Sequence, residues 1–400
     1  DAHNNLGVLF DKTDQLDLAA KSFKQAIAIK PDFADAHNNL GVLFDKTDQL
    51  DLAAKSFKQA IAIKPDFAEA YHHYGIVLTK LNRRDEALVS FESAISHNPN
   101  LDSLMSNYLS NKMYLGIWND LPRHLNDIEN QINNSEIFTP FTLLFLIDNP
   151  ELQRKNADAF TSEVHPQSYN LPSIGIYPRH KKIRIAYFSQ DFHNHPGMHL
   201  MAELFECHDK NFFELIAFSF GPDTQDEWRR RVSVCFDQFV DVRLKSDQEI
   251  ALLARKMEID IAVNRGGYTK GGRPNIFAEG CAPIQVNYLG YPGTTGAEYM
   301  DYIIADRTLI PEDKQQYYSE KIVYMPNSYL PPLSNREVSK NSLIRDELGL
   351  PVKGFVFCCF NNAYKITPST FAGWMRILSA VEDSVLWLLE GNATHSKNIK

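Results

Sequence analysis

Apolar and small positions recur along the first hundred residues with a period of 34, and the first two periods, 1–34 and 35–68, are identical letter for letter. A diverged third copy starts at Glu69. It puts Leu6, Leu40 and Tyr74 in one column, Gly7, Gly41 and Gly75 in the next, and Phe23, Phe57 and Phe91 in a third. Such a unit predicts two helices closed as a hairpin: Gly41 and Ala53 let them approach, Phe57 fills the space beside them, and Pro65 stops the second helix. A degenerate fourth unit follows, and helical sequence continues over 117–132 and 141–160. Pro166, Pro172 and Pro178 then mark a loop-rich connection, with a boundary near Arg179. From Lys181 the pattern becomes short β-rich runs, 182–189, 213–220, 259–264, 284–290 and 301–306, alternating with helical stretches. That spacing predicts a parallel sheet with crossover helices. Residues 331–352 are polar and bracketed by prolines, the pattern of a linker with a short helix. One βαβ unit ends the chain: a strand in 355–362, a helix over 367–381 capped by Thr367 with Pro368 first, and a strand in 384–391. Its open edges and uncovered face imply that most of a second lobe is missing by Lys400.

A single hairpin cannot bury its apolar face, so the repeats must stack into an α-solenoid with a concave groove suited to extended peptides. Their columns closely resemble the tetratricopeptide pattern. The residue before the Leu-Gly pair is Asn5, Asn39, His73 and, in the fourth unit, Asn107. A column of amides at one helical position would line the concave wall and could bind a peptide backbone, with His73 interrupting it. The segments are therefore 1–102 (three repeats), 103–180 (degenerate repeat and helical connection), 181–330 (first α/β lobe), 331–352 (linker) and 353–400 (start of a second lobe).

Composition narrows the function. The chain has 400 residues, 44% hydrophobic and 23% charged, as in ordinary globular domains, and no apolar run reaches the ~20 residues of a membrane span. A net charge of −9 disfavours a nucleic-acid partner. Five cysteines without CxxC spacing point to a reducing compartment, so a cytoplasmic protein is expected. The sequence opens at Asp1 with neither an initiator Met nor a leader, so it reads as cut at this end too.

In parallel sheets, ligands sit beyond the carboxyl ends of the strands, so the loops there are where chemistry is expected. The first loop, SQDFHNHPGMH, holds His193, His195 and His199. They could ligate a metal, supply a general base, or be plain loop residues. The loop RGGYTKGGR, 265–273, could cradle an anion with backbone amides or be a plain turn, and GYPGTTGA, 290–297, could admit a ligand to the main chain or be a tight turn.

Five blocks in order carry a resemblance: IAYFSQDFHNHPGMHLM, VNRGGYTKGGR, APIQVNYLGYPGTTGAEYMDYIIAD, YYSEKIVYMP and FCCFNNAYKITPSTFAGWMRIL. Behind the repeats, they resemble the protein O-GlcNAc transferase family, including its bacterial SPINDLY-like members. The resemblance implies a GT-B glycosyltransferase of two Rossmann-like lobes that needs no metal or other cofactor. It moves N-acetylglucosamine from UDP-GlcNAc to Ser or Thr hydroxyls of proteins, with inversion. By the same resemblance His195 is the base or a close contact of the reacting sugar, with His199 beside it, and Lys365 faces the donor diphosphate. Asn362 stands where the family usually has Gln, and Gly293, Thr294 and Thr295 would lie at the sugar side of the donor site. Protein or peptide acceptors would enter by the repeats, which also allow a homo-oligomer. A fragment without the rest of the second lobe is expected to be inactive alone. Two other readings stay open: an O-fucosyltransferase using GDP-fucose, as in plant SPINDLY proteins, and a non-catalytic peptide-binding scaffold.

Overall fold

The 34-residue periods fold as helical hairpins: α1 (Ala2–Lys12) with α2 (Leu16–Ile29), α3 (Ala34–Lys46) with α4 (Leu50–Ile63), and α5 (Ala68–Lys80) with α6 (Arg84–His97). The first helix of the fourth unit is α7 (Leu104–Leu115). The computed structural model describes every residue except Asp14, Asp102, Arg179, Pro332, 335–339, 341–342 and Lys400. Gly75 shows why its column is glycine: a Cβ there would stand 2.5 Å from the ring of Phe91, which is buried in the gap. Successive first helices lie against one another, α1 on α3, α3 on α5 and α5 on α7. They are stitched by side chains 35 residues apart, one period plus one. Asn39 Nδ2 donates to Asn4 Oδ1 at 3.0 Å, His73 Nδ1 to Asn38 Oδ1 at 3.2 Å, and Asn107 Nδ2 to His72 Nε2 at 3.0 Å. Lys46 pairs with Asp11 and Lys80 with Asp45 in the same register.

After α8 (Leu121–Asn133), the helix expected over 141–160 is in fact two, α9 (Pro140–Leu146) and α10 (Pro150–Val164). The break has a local cause. Asn149 caps α10 by accepting from the amides of Glu151 and Leu152, and Pro150 in first position has no N–H for a preceding helical turn.

A seven-stranded sheet follows, made of β1 (Ile183–Ser189), β2 (Phe213–Ser219), β3 (Gln238–Asp241), β4 (Ile261–Asn264), β5 (Ile284–Asn287), β6 (Tyr302–Ala305) and β7 (Lys321–Tyr324). Every pairing is parallel, in the order β3-β2-β1-β4-β5-β6-β7. α11 (Pro196–Glu206) and α12 (Glu227–Ser233) link β1 to β2 and β2 to β3, while α13 (Asp247–Lys256) and α14 (Asn275–Ala278) precede and follow β4. β1 alternates accordingly. Tyr187 packs with Met201 and Phe205 of α11, whereas Phe188 packs with Ile250 of α13 and Phe277 of α14, so both faces are covered. The sequence pattern predicted five strands and missed β3 and β7. Both are short edge strands, with outward residues such as Gln238 and Lys321 exposed, so neither forms an apolar run. The crossovers from β5 to β6 and from β6 to β7 contain no α-helix, contrary to the alternation expected.

The boundary placed near Arg179 and much of the linker expected over 331–352 lie outside the described residues, and the described stretch 343–352 is turn rather than short helix. The last segment forms β8 (Val356–Cys359), α15 (Pro368–Ala380), β9 (Val385–Leu388) and α16 (Ala393–Asn398), with β8 and β9 parallel. Thr367 caps α15 by accepting from the Thr370 amide, as its sequence signature predicts.

The chain divides into two compact units, Asp1–Pro122 with Ser342–Lys400, and Arg123–Asn341. In the first, the end of the chain is fastened to α7 and its flanks. Asn392 Nδ2 donates to the Tyr114 carbonyl, Asn398 Nδ2 to that of Leu115, and Thr394 Oγ1 to Asp85. The Tyr364 ring lies 4.7 Å from that of Tyr114, on which the Arg84 guanidinium stacks at 3.6 Å.

Candidate active site

In the second unit, the chain runs outward from β1 through β2 to β3, then returns to place β4 on the other side of β1. The carboxyl ends of β1 and β4 thus flank the point where strand order reverses, the place in an open parallel sheet where loops part and leave a crevice. Three segments meet there: 190–195 after β1, 265–273 after β4, and Leu289–Gly290 after β5. The Arg265 carbonyl accepts from the Gly290 amide at 3.0 Å, and Gln190 Nε2 donates to the Lys270 carbonyl. Leu289 holds a left-handed backbone (φ 78°), a conformation a side chain of its size adopts at a cost of about 1 kcal/mol or more.

His195 is the N-cap of α11, and its Nδ1 accepts from the Gly197 amide at 3.1 Å. Arg265 Nη2 approaches the same Nδ1 at 3.3 Å and donates to Asp191 Oδ2 at 2.7 Å. Asp191 itself stays 3.7 Å from the imidazole. Arg265 is 2% exposed, while the His195 side chain is 40% exposed, so the ring is fastened at its inner edge and open at its outer one. Burial holds the His195 pKa below the ordinary imidazole value; Asp191 opposes that, and Arg265, His193 and His199 reinforce it. His199 lies on Trp228 (3.9 Å between ring centres), and its Nε2 donates to Asn194 Oδ1 at 2.9 Å. The loop is tied to α12 through Asp226. Burial works against that carboxylate, but hydrogen bonds from the Thr224 hydroxyl and the amides of Arg229, Asn194 and Trp228 pull its pKa down to about 2.

The other expected residues are placed as follows. The glycine-rich loop after β4 is a turn in which Asn264 Oδ1 accepts from the amides of Gly266 and Gly267, the amides of Thr269 and Gly272 are bonded within the loop, and Arg273 is paired with Asp247. Thr294 and Thr295 are buried, with their hydroxyls turned inward to the buried carboxylate of Glu320; Thr295 N also donates to it at 2.7 Å. The Thr295 carbonyl accepts from Thr161 and Tyr268. Gly293 sits against Tyr291 and Leu144. These three residues face Glu320, Ser319, Thr161, Tyr268 and Tyr291 rather than His195 or His199. Asn362 and Lys365 belong to the first compact unit, both exposed, with Lys365 two residues ahead of the Thr367 cap and its ammonium 5.9 Å from the Tyr364 ring. Of the amide column, Asn39, His73 and Asn107 are each bonded to the preceding first helix, and Asn5 is exposed at the start. Among the described residues, no three His, Cys, Asp or Glu side chains are grouped so as to hold a metal ion.

Sequence reasoning missed Asp191, Asp226 and Arg265. Asp191 and Arg265 each stand within two residues of a strand's carboxyl end, and that placement was the available signal. Their pairing spans 74 residues and depends on strand order, which the pattern of runs does not encode.

Comparison with known proteins matches residues 159–332 and 333–400 to glycosyl transferase family 41, and residues 12–48, 34–67 and 68–101 to tetratricopeptide repeats. A probable UDP-N-acetylglucosamine–peptide N-acetylglucosaminyltransferase SEC of Arabidopsis thaliana is 39% identical over 233 residues, 56% of this chain and 23% of that protein. The UDP-N-acetylglucosamine–peptide N-acetylglucosaminyltransferase of Caenorhabditis elegans is 26% identical, over 52% of this chain and 28% of that protein. The chain thus spans about a quarter of the length of these curated relatives. Its fold resembles that of a Thermobaculum terrenum O-GlcNAc transferase mutant, with a TM-score of 0.64 at 23% identity over all of this chain and 70% of the other. The two stretches matched to the transferase family together cover more than half of the sequence, and the chain belongs to glycosyl transferase family 41.

Proposed function

We propose that this chain is part of a protein O-GlcNAc transferase, which moves N-acetylglucosamine from UDP-GlcNAc to Ser or Thr hydroxyls of proteins. The observation that carries the reading is the half-open imidazole of His195 at the strand-order reversal, inside the stretch matched to the family. In this reading His195 contacts the reacting hydroxyl or the sugar. Lys365, aided by the amino end of α15, offsets the charge of the departing diphosphate. The fastened imidazole supplies the fixed geometry that attack on an anomeric carbon needs. Acceptor proteins enter along the repeats, where Asn5, Asn39, His73 and Asn107 keep hydrogen-bonding capacity beyond the bonds between helices. No metal or other cofactor is invoked. Among the described residues, no helix is long and apolar enough to cross a membrane. The five cysteines are free thiols, in keeping with a reducing, cytoplasmic setting.

The complete protein, incubated with a mixture of acceptor proteins and either UDP-GlcNAc or GDP-fucose, is expected to transfer N-acetylglucosamine alone, read by mass spectrometry of the acceptors. Transfer of fucose alone would move the chain to the O-fucosyltransferase reading, and no transfer from either donor would leave the peptide-binding scaffold.

A further inference from the structure

The order of groups behind His195 is unusual for an imidazole expected to take a proton. Where a histidine acts as base through Nε2, a carboxylate or carbonyl accepts from Nδ1–H and leaves the Nε2 lone pair free. Here the carboxylate is one step further back. Asp191 Oδ2 stands 3.7 Å from His195 Nδ1, and the Arg265 guanidinium is bonded to it at 2.7 Å and faces the ring at 3.3 Å. A guanidinium has only N–H donors, and so does the other partner of Nδ1, the Gly197 amide at 3.1 Å. Two donors on one ring nitrogen require a lone pair there, so the proton of the neutral ring sits on Nε2, at the ring's open edge.

The placement of Arg265 is built into the fold rather than incidental. It follows β4 directly, its amide donates to the Phe188 carbonyl of β1, and its own carbonyl accepts from Gly290, so its backbone is held from both neighbouring strands. The side chains of Arg265 and Asp191 are 3% and 9% exposed. Gly197 makes room for them, because a Cβ there would collide with the guanidinium. Arg265 Nε is buried without a hydrogen-bond partner, a desolvation cost that the fold tolerates while holding the guanidinium in this position.

We propose that Arg265, held by Asp191, is a positioning residue that fixes His195 as a hydrogen-bond donor through Nε2–H rather than as the acceptor of the substrate's proton. The proposal rests on the transferase reading for what the donor contacts: an oxygen of the sugar, of the departing phosphate, or of the acceptor hydroxyl. It does not rest on it for the tautomer. Protonating the ring at Nδ1 would set a second cation against Arg265, with His193 and His199 nearby and only Asp191 in opposition. The lowered pKa of His195 agrees with this arrangement.

The test is nitrogen NMR of histidine-labelled protein without donor, with the His195 signals assigned by their loss in His195→Asn. The expected result above neutral pH is a protonated Nε2 and an unprotonated Nδ1, with a titration midpoint below the ~6.5 of a free imidazole. In Arg265→Gln the midpoint is expected to rise and the tautomer preference to relax, and Arg265→Lys should restore part of both. A proton on Nδ1 in the unsubstituted protein overturns the proposal even if no variant folds. So does a tautomer and midpoint unchanged in Arg265→Gln. Since the measurement uses no donor, its failure strikes this inference alone. An Nε2–H tautomer in a protein that transfers no sugar would instead strike the transferase reading.

Discussion

Lys365→Ala and His195→Asn are each expected to lower sugar transfer by roughly a hundredfold or more while leaving the fold intact. Removing one group that stabilises developing charge costs on the order of 10²–10³ in rate, and losing a positioned acid, base or donor costs about as much. Stability should respond little. Lys365 is exposed, and surface substitutions stay within about 0.5 kcal/mol. For His195, asparagine is a better control than alanine: the imidazole caps α11 through the Gly197 amide, and Asn retains a side-chain acceptor there, whereas Ala would lose about 1 kcal/mol of capping. Transfer rates beside urea unfolding curves decide the matter. Wild-type rates in both variants would remove both residues from the reaction, and a rate loss that tracks lost stability would make the effect structural.

Much of the fold is legible in the sequence. The period of 34, with glycine facing phenylalanine and proline closing each unit, is a local code, and the hairpins follow it closely. The Thr367–Pro368 start of α15 is equally local. The central strands are legible because burial on both faces makes apolar stretches, as over 185–188 in β1, whereas the edge strands Gln238–Asp241 and Lys321–Tyr324 carry exposed Gln238, Asp241 and Lys321 and read as loop. What was not legible is long-range. That Asp191 would meet Arg265 rather than His195, or that the Thr294 and Thr295 hydroxyls would turn inward to Glu320, depends on which strands and loops become neighbours. The amide column was visible as a column, but its bonding to Asn4, Asn38 and His72 follows from a stacking register of one period plus one.

That register places a titratable group inside the solenoid. His72 is buried, and its Nε2 accepts from Asn107, so it must be neutral there; burial first, and then His73, lower its pKa to about 4. The unfolded chain takes up this proton near pH 6.5 and the folded chain only near 4, so between these values the unfolded state binds more protons and stability falls as pH falls. At 1.36 kcal/mol per unit, the full loss is about 3 kcal/mol, complete below pH 4 and absent above about 7. His72→Asn puts at this position the residue that Asn4 and Asn38 already provide in the first two repeats, and it keeps an acceptor for Asn107. Urea unfolding at pH 7.5, 6, 5 and 4.5 should therefore show a shallower acid loss in His72→Asn than in the unsubstituted protein. Equal slopes would mean that His72 is not held neutral in the fold.

The central claim is that sugar chemistry takes place where the strand order of the sheet reverses, at the open edge of His195. A crystal structure of the complete protein with UDP-GlcNAc tests it most directly. The account predicts an oxygen of the sugar or its phosphate within about 3 Å of His195 Nε2, beyond the carboxyl ends of β1 and β4. Donor bound elsewhere, with that crevice empty and His195 solvated, would contradict it.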